Sequence, residues 1–555
     1  MNKIQEAIDN PIAKMFLGFW SQNRWSALIS LFLTSLYYPL EIIGVSNLTS
    51  KLFILLDDGI QKNLKAISIT IILLMAVYLL LEIVAVIKDY LDTANIPKFE
   101  QYVREEIIKP VIEKNLVNYD NVQTVQLIQN LGKIPRVLSD IFERLNRYLI
   151  PFFIIALSVS IYFSYLNWQL GLASILFFVI YFGIFRSISH QQIEASQTRE
   201  RAEGKFNDEV EDIINNLFMV TVANNTEREL GNIRGLTDIF NKVYKNEMQV
   251  SAKAKFYNGL LALLAIAGLS FVTLRLSSQG AIPEKSAVAA FGTIIFMSRH
   301  FRSLARRVSE TMIEIGSLAL GNEYLQAIKT GTTPNGSKAN FIHNGEIVFQ
   351  NLSFKYPGTK ATVFDHLNYV KPAGACLTIV GPSGSGKSTL IKMLNGFYTP
   401  TSGGIYIDGV NIRDVDRLYL RQAVSYLPQN TRLFNRSVLE NMVYGTGHHP
   451  SEAVKVLEKL RVAKVFKNVD LHRNAGRFGD KLSGGQKQLV HLVRIYLSKP
   501  KIVILDEPTT GIDVEHRKYV KRAIKELAKE INVILVTHEK DMVLGETLNL
   551  AELTN

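Results

Sequence analysis

The chain has 555 residues, more than one ordinary domain holds. A formal charge of +12 suits a nucleic-acid binder, but Lys and Arg gather in the loops between apolar stretches, which is the pattern of membrane topology, so no nucleic-acid partner is expected. A single cysteine, Cys376, excludes an intramolecular disulfide and any cysteine-rich metal site; between Ala375 and Leu377 in a predicted strand, it reads as a buried structural thiol.

The N-terminus, MNKIQEAIDNPIAK, carries polar and acidic residues where a leader's apolar core would begin, so no cleavable signal peptide is expected. Residues 11–22, PIAKMFLGFWSQ, have the pattern of an amphipathic helix lying at a membrane surface. Six apolar stretches follow, near 26–48, 66–90, 140–165, 168–188, 257–276 and 286–304, most of about the ~20-residue length that crosses the hydrocarbon core. The links between spans 3 and 4 (around Tyr165–Trp168) and between 5 and 6 (SSQGAIPEKS) are short. Segments 91–139 and 189–256 are long and carry Lys98, Arg104, Lys109, Lys114, Lys133, Arg136, Arg199, Arg201, Lys205, Arg228 and Arg234. The long segments are therefore expected in the cytoplasm together with both termini. Their helical apolar spacing, as in Ile213, Leu217 and Val220, predicts helices continuing well beyond the bilayer, with short transverse helices at the turns. A small, polar run at 329–340, KTGTTPNGSKAN, reads as a linker broken by Pro334 and Gly336. From Ile342 the pattern turns to strands, beginning with GEIVFQNLSFKY.

The second half carries the chemistry. At 381–389 the chain reads Gly381, Pro382, Ser383, Gly384, Ser385, Gly386, Lys387, Ser388, Thr389, between the strand CLTIV and the helix TLIKMLNG. Glycines at these spacings let backbone N–H groups wrap a triphosphate; Lys387 supplies charge for the β- and γ-phosphates and Ser388 a hydroxyl for Mg²⁺. The run KIVILDEPTTGID predicts a buried parallel strand ending in Asp506, which can orient Mg²⁺ through water, and Glu507, which can polarise an attacking water. The third motif is LSGGQ. The Ser483 hydroxyl and the amides of Gly484 and Gly485, followed by Gln486, can form an anion nest at a helix start. One chain already owns a phosphate cradle, so the economical use of this nest is to cover the γ-phosphate bound by a second subunit.

With these motifs the chain resembles the ATP-binding cassette (ABC) transporters of the exporter type, as a half-transporter with one membrane domain and one nucleotide-binding domain. The resemblance implies an α-helical membrane bundle of six transmembrane helices with long cytoplasmic extensions, followed by an α/β P-loop NTPase cassette. It divides the chain into an elbow helix at 1–22, a membrane domain at 23–310, a linker at 311–340 and a cassette at 341–555. By the same resemblance Tyr356 in SFKYPG stacks on adenine, and Gln429 in SYLPQN senses Mg²⁺. Asp513 lies in the loop that crosses the dimer interface, and His538 in LVTHE is the switch histidine near the γ-phosphate. LFNRSVLENMVYG also follows the exporter pattern. Two departures stand out. Gly476-Arg477-Phe478-Gly479 has Arg477 where exporters usually carry an acid, and TTGID replaces the commoner Ser-Ala-Leu-Asp.

The implied machine binds ATP and Mg²⁺ and pairs with a second copy of itself or a related half-transporter. Its cargo is a hydrophobic or amphipathic substrate, such as a lipid, peptide or drug-like compound, taken from the lipid bilayer. A nucleotide-gated membrane ATPase that does not pump is the alternative from another class. Segments 115–123 and 211–222 are nominated as contacts with the cassette, with plain bundle surface as the alternative. Glu41 is open between a cargo contact and a place near the membrane edge, Glu82 reads as structural or interfacial, and Tyr37, Tyr38 and Trp25 read as packing or interface residues. The C-terminal LAELTN carries no readable retention or lipidation signal.

Overall fold

The computed structural model describes residues 11–114, 124–318, 321, 325, 336–356, 359, 361–430 and 432–553. The chain divides into two compact units, with the boundary between Gly331 and Thr332.

The N-terminal unit is helical. A short helix, Pro11–Gln22, buries Met15 and Phe19 among Phe99, Val103, Phe142 and Leu138. The first long element runs as Arg24–Pro39, a π-helical turn at Leu40–Gly44, and Val45–Asp57. Ile60–Lys114, Trp168–Asn215 and Thr226–Ser278 follow as single long helices. Thr124–Arg144 and Ile150–Leu166 are joined by a second π turn, Leu145–Leu149. The expected extension of the spans into long polar segments is therefore present, and a short helix, Leu217–Val222, lies between the two long helices that flank the segment 211–222. Segment 115–123 lies outside the described residues, as does most of the 329–340 linker.

Among the described residues, five helical stretches are long and apolar enough to cross a membrane: Arg24–Asp57, Ile60–Ile112, Leu127–Leu166, Trp168–Asn215 and Thr226–Ser278. The sixth expected span is a continuous helix, Glu284–Ser317, but does not reach that hydropathy. Its uncharged run lies between Lys285 and Arg299, and these charges lower its hydropathy. Part of its apolar surface is spent on protein: Ala287, Ala290, Ile294 and Met297 are buried in one cluster with Phe152, Val159, Phe163 and Leu269, while Val288 and Ile295 are exposed. Polar groups inside the bundle satisfy one another, as a medium without water requires. Ser46 Oγ donates to the Ala289 carbonyl (3.1 Å), and Tyr162 donates to Asn47 Oδ1 (2.8 Å). The outer surface is apolar instead, with Phe32, Ile72, Met75, Leu79, Ile161 and Leu263 all exposed. Beyond the apolar windows the helices are tied by ions. Arg199 bridges Glu247 (2.9 Å) and Glu203 (2.7 Å), and Lys133 meets Glu200.

The C-terminal unit holds two sheets. A five-stranded parallel sheet has the order β6 (Val424–Leu427), β7 (Ile502–Asp506), β8 (Asn532–Val536), β3 (Leu377–Val380), β9 (Glu546–Asn549). A four-stranded antiparallel sheet has the order β2 (Thr362–Lys371), β1 (Ile347–Lys355), β4 (Ser402–Ile407), β5 (Val410–Asn411). β7 is buried along its whole length, as a central parallel strand covered on both faces must be. The turn after β4 is pinned by Asp408, whose carboxylate accepts the amides of His343, Asn344, Gly345 and Glu346. Burial pushes that carboxyl up, but the four donors outweigh it and hold it below its ordinary value. Cys376 corrects the expectation made for it: it sits one residue before β3, is half-buried, and its carbonyl accepts the Glu546 amide.

Candidate active site

Parallel pairing places the carboxyl ends of three strands side by side. Ile379 of β3 is in register with Val536 of β8, and Val536 with Asp506 of β7. What leaves β3, β7 and β8 at that edge is the loop from Gly381, the pair Asp506–Glu507, and Thr537–His538. Ligands of open α/β sheets bind at such an edge.

The loop after β3 is built for a close backbone wrap. Gly381, Gly384 and Gly386 have φ of +156°, +83° and +88°. A Cβ on Gly386 would lie 2.6 Å from Phe364 Cζ, so this position rejects a side chain on both counts. Helix Lys387–Leu394 starts directly at the loop. Lys387 is buried (8% exposed) and folds its Nζ back onto the carbonyls of Gly381 (2.8 Å) and Pro382 (2.9 Å). Ser385 Oγ is buried and has no hydrogen-bond partner among the described residues, a polar atom left for a ligand. Pro382, Ser383, Gly384 and Ser388 are exposed, and Thr389 is buried with its hydroxyl 2.8 Å from that of Tyr356. Tyr356 follows β1 and packs edge-on against Phe354 and Tyr398.

Asp506 is the last residue of β7 and accepts a hydrogen bond from Tyr426 (3.1 Å). Burial pushes its carboxyl up, against the pull of the Tyr426 bond and the Lys387 charge. Glu507 turns out of the strand with φ of +45° and is held by three side chains. Its Oε2 accepts from Gln429 Nε2 (2.7 Å) and Thr510 Oγ1 (3.1 Å), and its Oε1 lies 3.0 Å from His538 Nε2. The structure thus brings Gln429, Glu507 and His538 together, with Lys387 close enough to act on the adjacent Asp506. Tyr426 and Thr510 were not anticipated from sequence. Tyr426 sits inside SYLPQN and Thr510 inside TTGID, each beside a residue that carries the motif's chemistry.

Ser483–Gln486 stands at the start of a helix. Ser483 caps helix Gly484–Ser498: its Oγ accepts the Gln486 amide (3.3 Å), while Gln486 Oε1 accepts the Ser483 amide (3.0 Å). Gln486 Nε2 also donates to the Val465 carbonyl (3.3 Å). The Ser483 oxygen thus accepts one hydrogen bond within its own chain and keeps its proton to donate. A Cβ on Gly485 would lie 2.4 Å from His516 Cβ, so glycine here is a packing requirement. His516 is fixed in turn by Asp513, the cap of helix Val514–Leu527, through its amide (2.9 Å) and Nδ1 (2.6 Å). Bonding to His516 holds the Asp513 carboxyl below its ordinary value. No polar group of Ser483–Gln486 bonds to Lys387, Glu507 or His538 among the described residues.

Residues 25–299 match the ABC transporter transmembrane region, and residues 364–510 match the ABC transporter family. The chain is 25% identical over 491 residues to an ATP-dependent lipid A-core flippase of Albidiferax ferrireducens, covering 87% of this chain and 84% of that one. It is 27% identical to a β-(1→2)glucan export ATP-binding/permease protein of Bartonella quintana, covering 68% of this chain and 64% of the relative. A solved bacterial Atm1-family ABC exporter with ATP bound shares the fold, with a TM-score of 0.80 at 21% identity over 96% of this chain and 92% of that one. This multi-pass integral membrane protein belongs to the ATP-binding cassette transporters, as an exporter-type half-transporter whose cassette is an ATPase coupled to transport.

Proposed function

We propose that the chain works as a homodimer that hydrolyses ATP to move an amphipathic compound out across the membrane, with the cassettes in the cytoplasm. The names of two relatives give lipid A-core and β-(1→2)glucan as their cargo, which supports a cargo with a substantial polar part. The observation that carries the reading is Glu507, poised beside the phosphate loop while Ser483–Gln486 has no bond to it. One chain supplies two half-sites. The domain division 1–22, 23–310, 311–340 and 341–555 belongs to this reading.

In the proposed cycle the loop from Gly381 to Thr389 wraps the triphosphate, Tyr356 stacks on the base, and Lys387 leaves the two loop carbonyls to meet the β- and γ-phosphates. The donor set fits Mg²⁺: the exposed Ser388 hydroxyl, the Gln429 amide oxygen and the Asp506 carboxylate are all hard oxygens. Bound there, Mg²⁺ would neutralise charge developing on the phosphates. Glu507 orients and polarises the attacking water. For this it exchanges one of its present partners, Gln429, Thr510 or His538, for that water. Where the exchanged partner is His538, its Nε2 turns toward the γ-phosphate. The Ser483 proton and the Gly484 and Gly485 amides of the second chain close the pocket, with Gln486 holding the cap and Asp513 positioning His516 beneath it. Transport into sealed inverted vesicles tests the proposal. Cargo accumulation against a gradient that requires ATP and is lost in Glu507→Gln supports it. Passive, nucleotide-gated flux contradicts it.

A further inference from the structure

Glu507 and His538 leave neighbouring strands, β7 and β8, but they are held very differently. The His538 side chain is half exposed (51%), and its Nε2 meets Glu507 at 3.0 Å. Once that contact is given up, the reach of the imidazole depends on the backbone that carries it. β8 ends at Val536. In the turn after it, the Glu539 amide donates to Thr537 Oγ1 (3.0 Å) and the Glu539 carbonyl accepts the Met542 amide (3.1 Å). Both bonds lie inside the turn, so they shape it without anchoring it elsewhere.

The anchor is the Glu539 side chain. Lys521 Nζ lies 2.7 Å from its Oε2, and Arg517 Nη1 lies 3.8 Å from its Oε1. The Thr509 hydroxyl donates to the same carboxylate. Lys521 also reaches Asp541 (2.6 Å), so one ammonium grips the turn on both sides of Lys540. Two cations face two carboxylates, and the cluster is balanced. The Lys521 and Glu539 side chains are 18% and 26% exposed, which sets them apart from the solvent-screened pairs of an open surface. Burial pushes the Glu539 carboxyl up, but Lys521 and Thr509 outweigh it and hold it below its ordinary value.

The members come from three places. Thr509 lies in the loop that leaves β7 with Glu507. Arg517 and Lys521, four residues apart and so on one face, belong to helix Val514–Leu527. Glu539 and Asp541 flank the turn that carries His538.

We propose that Glu539 is a positioning residue for hydrolysis, stapling the turn that carries His538 to the loop that carries Glu507 and to helix Val514–Leu527. The proposal rests on the role given to His538 above and adds the group through which that histidine is aimed. In this role Glu539 neither binds nucleotide nor takes a proton. Cutting its contacts frees the turn and spoils the aim of Nε2, while the loop Gly381–Thr389 and Tyr356 still hold ATP.

The test is a double-mutant cycle in the full-length protein in lipid nanodiscs, with phosphate release from radiolabelled ATP to resolve slow rates. Glu539→Gln should lower the rate at saturating ATP roughly tenfold, with the half-saturating ATP concentration changed by less than about twofold. Lys521→Met should do the same, and Lys521→Arg, which keeps the charge, should retain most of the rate. In a His538→Ala background, Glu539→Gln should cost less than about twofold, because the group it aims is gone. Where Glu539→Gln does not fold, Lys521→Met carries the cycle. Equal fold losses in the two backgrounds, or an unchanged rate in both Glu539→Gln and Lys521→Met, overturn the proposal. A rise in half-saturating ATP as large as the rate loss also overturns it, since that marks a general loosening of the cassette. If His538→Ala itself hydrolyses ATP like the wild type, the reading of His538 beneath the proposal is refuted as well.

Discussion

Lowering the pH from 7 to 5 should loosen the cassette around His491, and His491→Leu should remove that sensitivity. His491 lies on helix Gly484–Ser498. Its Nε2 is buried with no hydrogen-bond partner, and a backbone hydrogen bond at Arg432 holds the ring. Burial pushes its pKa down to about 3, and the Arg494 charge pushes in the same direction. Arg494 cannot move aside, because its Nε and Nη2 both donate to the Asn441 carbonyl (2.8 and 2.5 Å). In the unfolded chain the same imidazole titrates near ~6.5. Between those values the unfolded chain binds a proton that the folded cassette excludes. The contribution of neutral His491 is therefore complete above pH ~6.5 and is lost as the pH falls. Each pH unit in the window is worth about 1.4 kcal/mol, so the descent from ~6.5 to 5 costs about 2 kcal/mol. Leucine at this position gives up one hydrogen bond, about 1 kcal/mol, and has no proton to bind. All three tryptophans, Trp20, Trp25 and Trp168, precede the cassette, so fluorescence would report the wrong unit. Hydrogen–deuterium exchange read by mass spectrometry on peptides from Gly484–Ser498 reports the right one. After correction for intrinsic rates, the opening free energy of the wild type relative to His491→Leu should fall by about 2 kcal/mol from pH 7 to 5. Parallel pH dependences in the two proteins would refute the assignment of a buried neutral imidazole.

Glu507→Gln should lower ATP hydrolysis by roughly 10²- to 10⁴-fold while ATP binding persists, measured by phosphate release and by nucleotide filter binding. Gly485→Ala drives a methyl group into His516, which Asp513 holds rigid, and should cost about 1–3 kcal/mol of cassette stability in denaturant. Adding His516→Ala to it should recover much of that loss. Asp506→Asn should raise cassette stability at neutral pH, because burial holds the native carboxyl above its ordinary pKa and stability falls as the pH rises through that value. The same substitution should reduce Mg²⁺-dependent hydrolysis by roughly a hundredfold or more, so calorimetry and activity should move in opposite directions.

Much of the cassette was readable because its chemistry is local in sequence. Gly381, Gly384 and Gly386 sit in one loop whose strand and helix flank it, and an apolar run as uniform as Ile502–Leu505 admits little but a buried parallel strand. The order of Gln429, Ser483, Glu507, Asp513 and His538 carried the rest. What stayed hidden depends on contacts between distant residues. Nothing near Glu41 announces that its partners are Arg299 and His300, since that pairing is made by packing the first helix against the last. The π turns arise from register shifts that period-counting cannot see, because Leu40–Gly44 and Leu145–Leu149 have ordinary helical composition. The sixth span falls below the others in hydropathy because Lys285 and Arg299 bracket its uncharged run, and Ala287, Ala290, Ile294 and Met297 are buried there. The S-x-x-Q spacing of Ser483 and Gln486 also makes a capping box at the start of helix Gly484–Ser498.

The central claim is that each ATP pocket is completed by the Ser483–Gln486 loop of a second chain, and differently tagged chains purified as mixed dimers test it most directly. One chain carries Lys387→Ala, which disables the cradle, and the other carries Ser483→Arg, which disables the capping loop. If pockets form between chains, both lesions fall in one pocket and the other is intact. The mixed dimer should then hydrolyse ATP well above either mutant homodimer. Activity no higher than that of the two homodimers would contradict the account, because it would place the cradle and the loop of each pocket in the same chain.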